Sequence, residues 1–243
     1  ICRLLIKMER LDKIISSQRA DGRKEVQKLI KSGAVLVNGK ICKKPDTKVD
    51  PEKDEIVVDG QALNYSKYIY IMMNKPAGVV SATEDNLHAT VLDLVPPELF
   101  RKGLFPAGRL DKDTVGFVLV TDDGDFAHRM LSPKKHVSKT YEAIISDAVS
   151  PEDISAFQEG LQLKDGTLCL RAELKVLEPG KQPLVQIVIH EGKYHQIKRM
   201  FEARGKKVLF LKRTKIGNLS LDENLAPGEC KEILHKELDQ ILE

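Results

Sequence analysis

The residues best suited to chemistry lie in one loop, where Arg109 and Asp111 stand two positions apart. A turn containing Pro106 and Gly108 precedes them, and an apolar run at 117–120, with valine at every second position, follows. This pattern predicts a polar loop at the mouth of a buried strand, where a carboxylate is partly removed from water yet reaches a ligand. An ordinary surface ion pair is the alternative, and it is the commoner fate of an Arg-x-Asp triplet.

A second pattern overlaps this loop, because Asp111-Lys-Asp-Thr-Val115 also satisfies the D-x-D-x-[T/V] signature of haloacid-dehalogenase-type phosphatases. In those enzymes an apolar strand leads directly into the first Asp. Here Pro106-Ala-Gly-Arg-Leu110 precedes it, and this segment has the composition of a turn. The phosphatase interpretation is therefore rejected.

The longer stretch resembles the catalytic motif of the pseudouridine synthases. It reads Ala107-Gly-Arg-Leu-Asp-x-x-Thr-x-Gly116, followed by an apolar strand and by Thr121-Asp-Asp-Gly124. It is similar to the branch of that family that modifies ribosomal RNA and carries an extra N-terminal RNA-binding module. The resemblance implies that Asp111 is the catalytic carboxylate and that Arg109 helps to hold the target nucleotide out of the RNA stack.

Two further segments carry the resemblance. Lys139-Thr-Tyr141 opens a run of alternating polar and apolar residues that predicts a strand. The family pattern implies that Tyr141 is catalytic and stacks against the target base; a partly buried strand tyrosine is the alternative. Asn74-Lys-Pro-Ala-Gly78 resembles a turn that abuts the family's active site, which places Lys75 among the predicted substrate contacts. An ordinary turn that ends a strand is the alternative there.

The most extended match is Glu191-Gly-Lys-Tyr-His-Gln-Ile-Lys-Arg-Met-Phe201. It predicts a helix that begins at Lys193 and is closed by Gly205. In such a helix Tyr194 and Lys198 would share one face, because they are four residues apart.

The resemblance implies that Lys198 pairs with Asp111, and Lys193, in the same motif, is the alternative partner. One helix cannot direct Lys193, Lys198 and Arg199 all toward Asp111. Ile189, at the end of the preceding predicted strand, falls near the apolar position that packs beneath the base. The remaining predicted substrate contacts of this motif are His195, Gln196 and Arg199.

The N-terminal residues 8–60 resemble the S4-type RNA-binding module. Two predicted helices are followed by a strand at 34–37 and by Asn38-Gly39, a strong tight-turn signal. The second helix opens with Gly22-Arg23 where the family often has Ser-Arg, and Gly is the weaker cap. A small helical adaptor that binds protein is the alternative. The predicted RNA contacts of the module are Arg10, Arg23, Lys24, Lys28, Lys31 and Lys40.

The composition narrows the class of partner. The net charge is only +3, but Lys and Arg cluster at 23–31, 40–48, 129–139 and 193–215, which favours a polyanion. No apolar run approaches the length of a membrane span. The four cysteines and six histidines show no metal-ligand spacing, so we expect no metal or other cofactor and reduced thiols in the cytoplasm.

These observations predict an α+β protein with an S4-type module followed by a catalytic domain around a mostly antiparallel mixed sheet. We assign residues 1–7 to a non-native or upstream extension, 8–60 to the module, 61–67 to a linker and 68–243 to the catalytic domain. The motif details are most similar to the enzymes that act on small-subunit (16S) rRNA at position 516. The expected partner is therefore rRNA, in a partly assembled small subunit, and the protein is expected to be monomeric. Enzymes of the same branch that act on large-subunit (23S) rRNA, and a non-catalytic rRNA assembly factor, are the alternatives.

Overall fold

The computed structural model describes residues 8–19, 21–132 and 135–242. The predicted upstream extension, residues 1–7, lies outside these ranges. Helices and sheets are both present, and most of the strand pairs are antiparallel. The predicted α+β class is therefore confirmed.

The described chain forms two compact units. The first comprises the chain up to Ile69 together with Pro96–Leu104. The second comprises Tyr70–Val95 and the chain from Phe105 onward. The sequence predicted one crossing between the units, at 61–67, because it gave no signal that a later segment returns to the first unit.

The first unit contains two short helices and two small antiparallel sheets. Strands β3, β2, β5 and β6 pair in that order, and β1 pairs with β4. The elements are β1 (Glu9–Arg10), α1 (Leu11–Ser17), α2 (Arg23–Ser32), β2 (Val35–Val37), β3 (Lys40–Ile41), β4 (Lys48–Val49), β5 (Ile56–Val58) and β6 (Gln61–Ala62).

Local sequence explains most of this unit. The apolar residues spaced along both helices meet in one buried core with Val35, Ile56 and Val58. Gly33 ends α2 in the left-handed conformation at φ 91°, as a C-terminal helix glycine does. Asn38 and the following glycine both have positive φ, which makes the tight turn between β2 and β3.

The predicted linker is partly structured. Gln61 and Ala62 pair with β5 as strand β6, so the module's sheet extends beyond the predicted boundary at residue 60. Later in the linker, the Ser66 carbonyl accepts a hydrogen bond of 2.9 Å from Arg101 Nη1. This bond links the returning segment, Pro96–Leu104, to the rest of the first unit. It is one reason why that segment belongs to the first unit.

The second unit is built on a nine-stranded mixed sheet. Its main path runs β11-β12-β10-β13-β9-β7-β15, with β14 on β13 and β8 on β9, and only β9 and β13 pair in parallel among the described strands. The strands are β7 (Tyr70–Lys75), β8 (Phe105–Ala107), β9 (Val115–Thr121), β10 (Lys139–Ile145), β11 (Glu173–Glu178), β12 (Leu184–Ile189), β13 (Val208–Ile216), β14 (Leu219–Ser220) and β15 (Cys230–Glu232). The α-helices are α3 (Gly124–Leu131), α4 (Pro151–Glu159), α5 (Gln196–Ala203) and α6 (His235–Leu242), with a 3-10 turn at Leu92–Leu94.

The parallel pair of β9 and β13 depends on one glycine. A Cβ atom placed on Gly116 would lie 2.3 Å from the Arg213 carbonyl oxygen, which no side chain could tolerate. Gly116 also has φ 99°, a conformation that favours glycine. This close approach brings the loop that contains Asp111 next to the middle of the sheet.

The predicted helix after Glu191 begins later than expected. Helix α5 starts at Gln196, and His195 before it has a left-handed φ of 48°. Tyr194 therefore lies outside the helix and does not share a helical face with Lys198. The basic and polar composition of this segment gave no boundary signal, whereas the left-handed residue sets the true start.

Candidate active site

A cleft of about 720 Å³ opens on the second unit beside the Asp111 loop. Four segments supply most of its lining, namely the loop at 108–112, β10, the loop at 191–195 and β13, and Val80, Ser81 and Leu131 complete it. A smaller recess of about 80 Å³ adjoins the cleft, and Ile189 and Lys198 lie at its edge. Asp111 and Tyr141 line both spaces.

Asp111 is the centre of the charged contacts in the cleft. Its Oδ2 lies 3.0 Å from Lys198 Nζ, and its Oδ1 lies 3.4 Å from His195 Nε2. Its side chain remains 27% exposed. The carboxylate is thus held in place by charge but is still accessible to a ligand in the cleft.

Lys198 binds a second carboxylate in addition to Asp111. Its Nζ lies 2.6 Å from Oδ1 of Asp113, which is largely exposed. Burial lowers the pKa of Lys198, but its ion pairs with Asp113 and Asp111 outweigh burial and leave that pKa raised. The same contact with Lys198 lowers the pKa of Asp113. Lys198 therefore carries its positive charge over a wide pH range.

Lys193, the alternative partner for Asp111, binds other groups. Lys193 forms an ion pair with Glu191, and its backbone N–H donates to Oε1 of Gln196 at 3.0 Å. The Gln196 amide in turn donates to Glu191 at 2.8 Å. Gln196 itself is only 4% exposed. Gln196 thus braces the loop before α5 rather than presenting its amide to solvent.

The other predicted side chains are distributed around the cleft. Arg109 is exposed at its rim, and Tyr141 is buried on β10. His195 stacks on the exposed ring of Tyr194, with ring centroids 3.8 Å apart. Arg199 lies 2.5 Å from Asp165 and points away from Asp111. The structure therefore brings Arg109, Tyr141, His195 and Ile189 to the Asp111 region but not Arg199.

Lys75, which was predicted to contact substrate, is buried beneath the Asp111 loop. This side chain is 0% exposed, and its Nζ donates to the carbonyls of Pro76, Lys112 and Thr114 at 3.0, 3.2 and 2.8 Å. Lys75 lies at the end of β7, opposite Gly116 of β9. It holds the backbone on the C-terminal side of Asp111, and burial lowers its pKa to about 8.

The predicted RNA contacts of the first unit fall into two groups. Arg10 and Arg23 are half-exposed, and both bind the fully buried carboxylate of Asp12, which also accepts a bond of 2.8 Å from Gln27. Burial would raise the pKa of Asp12, but these donors outweigh it and hold that pKa well below its usual range. The two arginines therefore have a structural role that the sequence did not reveal. The lysines are exposed: Lys24, Lys28, Lys31 and Lys40.

Two site residues were not predicted. Lys139 and Arg213 line the cleft on either side of Tyr141, and both are nearly buried. Lys139 stands two residues before Tyr141 on β10, so strand alternation was the signal that could have placed it on the same face. Arg213 comes from β13, and sequence alone does not show which strand neighbours β10.

The described residues contain neither a membrane-spanning helix nor a cluster of metal-binding side chains. No helix there is both long and apolar enough to cross a membrane. Nor does any group of three or more His, Cys, Asp or Glu side chains in the described chain form a site that could hold a metal ion.

Two family models match this chain. The model described as RNA pseudouridylate synthase matches residues 69–203, and the S4 domain model matches residues 9–56. The S4 match lies within the first unit, and the synthase match lies in the second unit except for Ile69 and Pro96–Leu104, which belong to the first. The first of them alone covers more than half of the chain.

Full-length relatives give the same result. An uncharacterized RNA pseudouridine synthase of Bacillus subtilis is 48% identical over 94% of this chain and 96% of its own. The ribosomal small subunit pseudouridine synthase A of Yersinia pestis is 40% identical over 96% of this chain and 97% of its own. A crystal structure of a pseudouridylate synthase, 37% identical, matches with a TM-score of 0.67 over 96% of this chain and 99% of that one. On the family model and on these relatives, this chain belongs to the RNA pseudouridylate synthase family.

Proposed function

We propose that this protein converts one uridine of 16S rRNA to pseudouridine, at position 516, with Asp111 as the catalytic carboxylate. The observation that carries the rRNA target is the similarity to small-subunit enzymes along nearly the whole chain, at 40% identity. The relatives named as ribosomal small subunit pseudouridine synthase A come from several bacteria, including Vibrio cholerae at the same identity.

The reaction needs a particular set of groups. Isomerisation breaks the N1–C1′ glycosidic bond, turns the base, and joins C5 to C1′. A carboxylate can attack the sugar or stabilise its electron-poor state, as in glycoside chemistry. Asp111 suits either role because it is accessible and Lys198 places a positive charge beside it.

The target must also leave the RNA stack, which costs a few kcal/mol. Arg109 is exposed at the rim of the cleft, where a long cationic side chain can fill the space that the base vacates. Tyr141 and Ile189 offer an aromatic and an apolar surface to the base. We assign substrate contact to these three residues and to His195, and a bracing role to Gln196.

The first unit supplies RNA affinity in this proposal. Its exposed lysines on and after α2 can neutralise phosphates, and removing one such lysine should flatten the salt dependence of RNA binding by about 0.7 in slope. We assign residues 8–62 to this RNA-binding module and the sheet that follows to catalysis. We further propose that the protein acts as a monomer in the cytoplasm, on a partly assembled small subunit.

The decisive experiment maps pseudouridine in rRNA from cells with and without this protein. Loss of one pseudouridine at position 516 of 16S rRNA, restored by the wild-type gene but not by its Asp111→Asn form, is the expected result. Loss of a site in 23S rRNA would support the large-subunit alternative. Unchanged pseudouridine with defective subunit assembly would identify a non-catalytic assembly factor.

A reconstituted assay then tests the substrate form. The purified protein is incubated with naked 16S rRNA and with partly assembled small subunits, and pseudouridine is counted in both. Faster modification of the assembled particle is expected. Equal or faster modification of naked rRNA would contradict the need for ribosomal proteins.

A further inference from the structure

Two cations lie buried at the bottom of the cleft. Lys139 is 8% exposed and Arg213 is 4% exposed, yet both line the cleft together with Tyr141. We call these three residues the cleft floor. Cations this deeply buried are rare in proteins unless they are paired.

Sheet register explains why the three side chains converge. Lys139 and Tyr141 are two residues apart on β10 and so emerge on the same face. Arg213 on β13 lies directly opposite Tyr141, and its guanidinium carbon is 6.0 Å from the centre of the Tyr141 ring. On the other side of β10, Ile189 lies directly opposite Lys139. The floor is thus fixed by strand pairing rather than by mobile loops.

The donors of this floor are not all used. Arg213 Nε donates to the Phe117 carbonyl at 2.7 Å, but its buried Nη2 has no hydrogen-bond partner among the described residues. Lys139 Nζ donates to the Val137 carbonyl at 2.8 Å, the one hydrogen bond that the described chain provides for its three N–H groups. Buried donors normally find acceptors, so unused donors on two residues that line a cleft indicate a ligand that supplies the acceptors.

The electrostatics favour a ligand with negative charge. The floor holds two cations, and in the described part of the chain both are hydrogen-bonded to backbone carbonyls rather than paired with a carboxylate. Burial, with Arg213 nearby, lowers the pKa of Lys139 to about 8. An anion placed between the two side chains would stabilise the charged form of Lys139 and so raise this pKa again.

Resting on the proposed function, we propose that Arg213 Nη2 and Lys139 Nζ donate hydrogen bonds to the carbonyl oxygens of the flipped uracil. In this position they stabilise the negative charge that the base carries while it is detached from the sugar. They are therefore further catalytic residues of the same site, acting on the base while Asp111 acts on the sugar.

The electron count of the step places negative charge on the detached base. When the N1–C1′ bond breaks, its electron pair stays on N1, so uracil leaves as a monoanion with charge shared by O2 and O4. Asp111 attacks or stabilises the electron-poor C1′. The C5 electron pair then forms the new bond to C1′, the C5 proton passes to a base, and N1 takes up a proton. Charge and atoms balance, and the base is anionic only between the two bond changes.

The same donors would discriminate against cytosine. Uracil presents an oxygen at position 4, whereas cytosine presents an amino group, which cannot accept a hydrogen bond from a cation. A planar base also fits the surroundings, since Tyr141 lines the cleft and Ile189 lines the adjoining recess. A phosphate group would not use these flat surfaces and would have to leave water for a buried floor.

The test compares two leaving groups under single-turnover conditions. Full-length wild type, Lys139→Met and Arg213→Met are incubated with target RNA containing uridine or 5-fluorouridine, and loss of the starting nucleoside is timed. Fluorine withdraws electrons and makes the base a better leaving group, so it needs less stabilisation. With uridine each variant should be slower by on the order of 10²-fold. With 5-fluorouridine the factor by which each substitution slows the reaction should be roughly tenfold smaller.

Lys212→Met is the matched control. It removes one positive charge at the neighbouring position of β13, whose side chain emerges on the opposite face of the sheet. It should keep the wild-type rates on both RNAs. Thermal unfolding identifies a variant that fails to fold, and Arg213→Lys replaces Arg213→Met in that case.

The outcomes separate the two proposals. Equal slowing on uridine and 5-fluorouridine would mean that these side chains only maintain the structure, and it would overturn this inference while leaving the proposed function intact. A wild-type protein that forms no pseudouridine from the uridine RNA would overturn both.

Discussion

The tetrapeptide Arg-Leu-Asp-Lys occurs at residues 10–13 and again at 109–112, and the two copies have opposite fates. In the first, Arg10 binds its own Asp12 through two hydrogen bonds of 3.0 Å, and the carboxylate is fully buried. In the second, Asp111 is partly exposed and is paired with Lys198, far away in the sequence. The same four residues thus form a structural clamp in one unit and the centre of a cleft in the other.

Backbone context makes the difference. Asp12 lies in the first turn of α1 and faces donors on α2, so its oxygens are saturated. The second copy follows Gly108, which has φ 95°, in the loop between β8 and β9. There the described chain shows no ion pair between Asp111 and Arg109. A carboxylate with saturated oxygens stabilises a fold, whereas one with unused capacity can take part in chemistry.

The largest expected effect comes from the second copy. Asp111→Asn should reduce pseudouridine formation by at least about 10³-fold, because the amide can neither attack C1′ nor stabilise its charge. RNA affinity should change little, since the basic residues that bind phosphate remain. Single-turnover assays and filter binding measure the two quantities. Appreciable turnover by a purified Asn variant would remove Asp111 from its assigned role.

The next effect separates charge from shape at Lys198. Lys198→Met should lose roughly 10²-fold in rate because Asp111 loses its cation. Lys198→Arg should keep much more, although arginine has a different geometry and some loss is expected.

Lys193 provides the control for this pair, because its cation binds Glu191 instead. Lys193→Met and Lys193→Arg are measured in the same single-turnover assay. A Lys198→Met enzyme as fast as wild type, beside an inactive Lys193→Met, would transfer the role to Lys193.

The third effect is on stability and belongs to the first copy. Asp12→Asn should lower the free energy of unfolding of the first unit by about 2 to 3 kcal/mol, since it leaves two arginines without their buried partner. Turnover at saturating RNA should remain near wild type. Urea unfolding followed at the first unit is the measurement. A neutral result would show that Arg10 and Arg23 are equally well satisfied by water.

A smaller effect compares the two arginines directly. Arg10→Leu should destabilise the protein less than Asp12→Asn does and should leave turnover unchanged, because it removes two hydrogen bonds to Asp12 from a half-exposed arginine. Arg109→Leu should leave the unfolding free energy within about 0.5 kcal/mol of wild type. Its turnover should fall about tenfold, because the flipped nucleotide is held less well. The reverse pattern would mean that the two copies have been assigned the wrong way round.

The last expected effect is a pH dependence of stability. Because the pKa of Asp12 is lowered in the folded state, its contribution is fully present above the ordinary carboxyl pKa of about 4 and is lost as pH falls below it. The difference in unfolding free energy between wild type and Asp12→Asn should therefore narrow from pH 6 toward pH 2. A constant difference over that range would contradict the clamp.

Sequence reasoning succeeded where local rules operate. Gly33 ended a helix and Asn38-Gly39 made a turn, because each depends on backbone preferences of its own residues. It was less successful where the outcome depends on strand neighbours. Lys75 seemed to face the substrate, but pairing of β7 with β9 buries it under the Asp111 loop.

The cleft shows the same division. The family motifs indicated Asp111 and Lys198, and the structure places them 3.0 Å apart. Arg213 was not noticed, since its position opposite Tyr141 follows from the order of strands in the sheet. His195 adopts a left-handed conformation that its residue type does not demand, so the start of α5 could not be predicted.

The burial of Lys75 gives the protein an internal reporter of motion. Amine-reactive reagents acylate a lysine only when its nitrogen reaches solvent, and here three backbone carbonyls enclose it. Acylation of Lys75 therefore requires the loop beyond Asp111 to detach from the sheet. The labelling rate at this one residue, measured by mass spectrometry, therefore reports how often the loop opens. Bound RNA that holds the loop closed would lower this labelling rate.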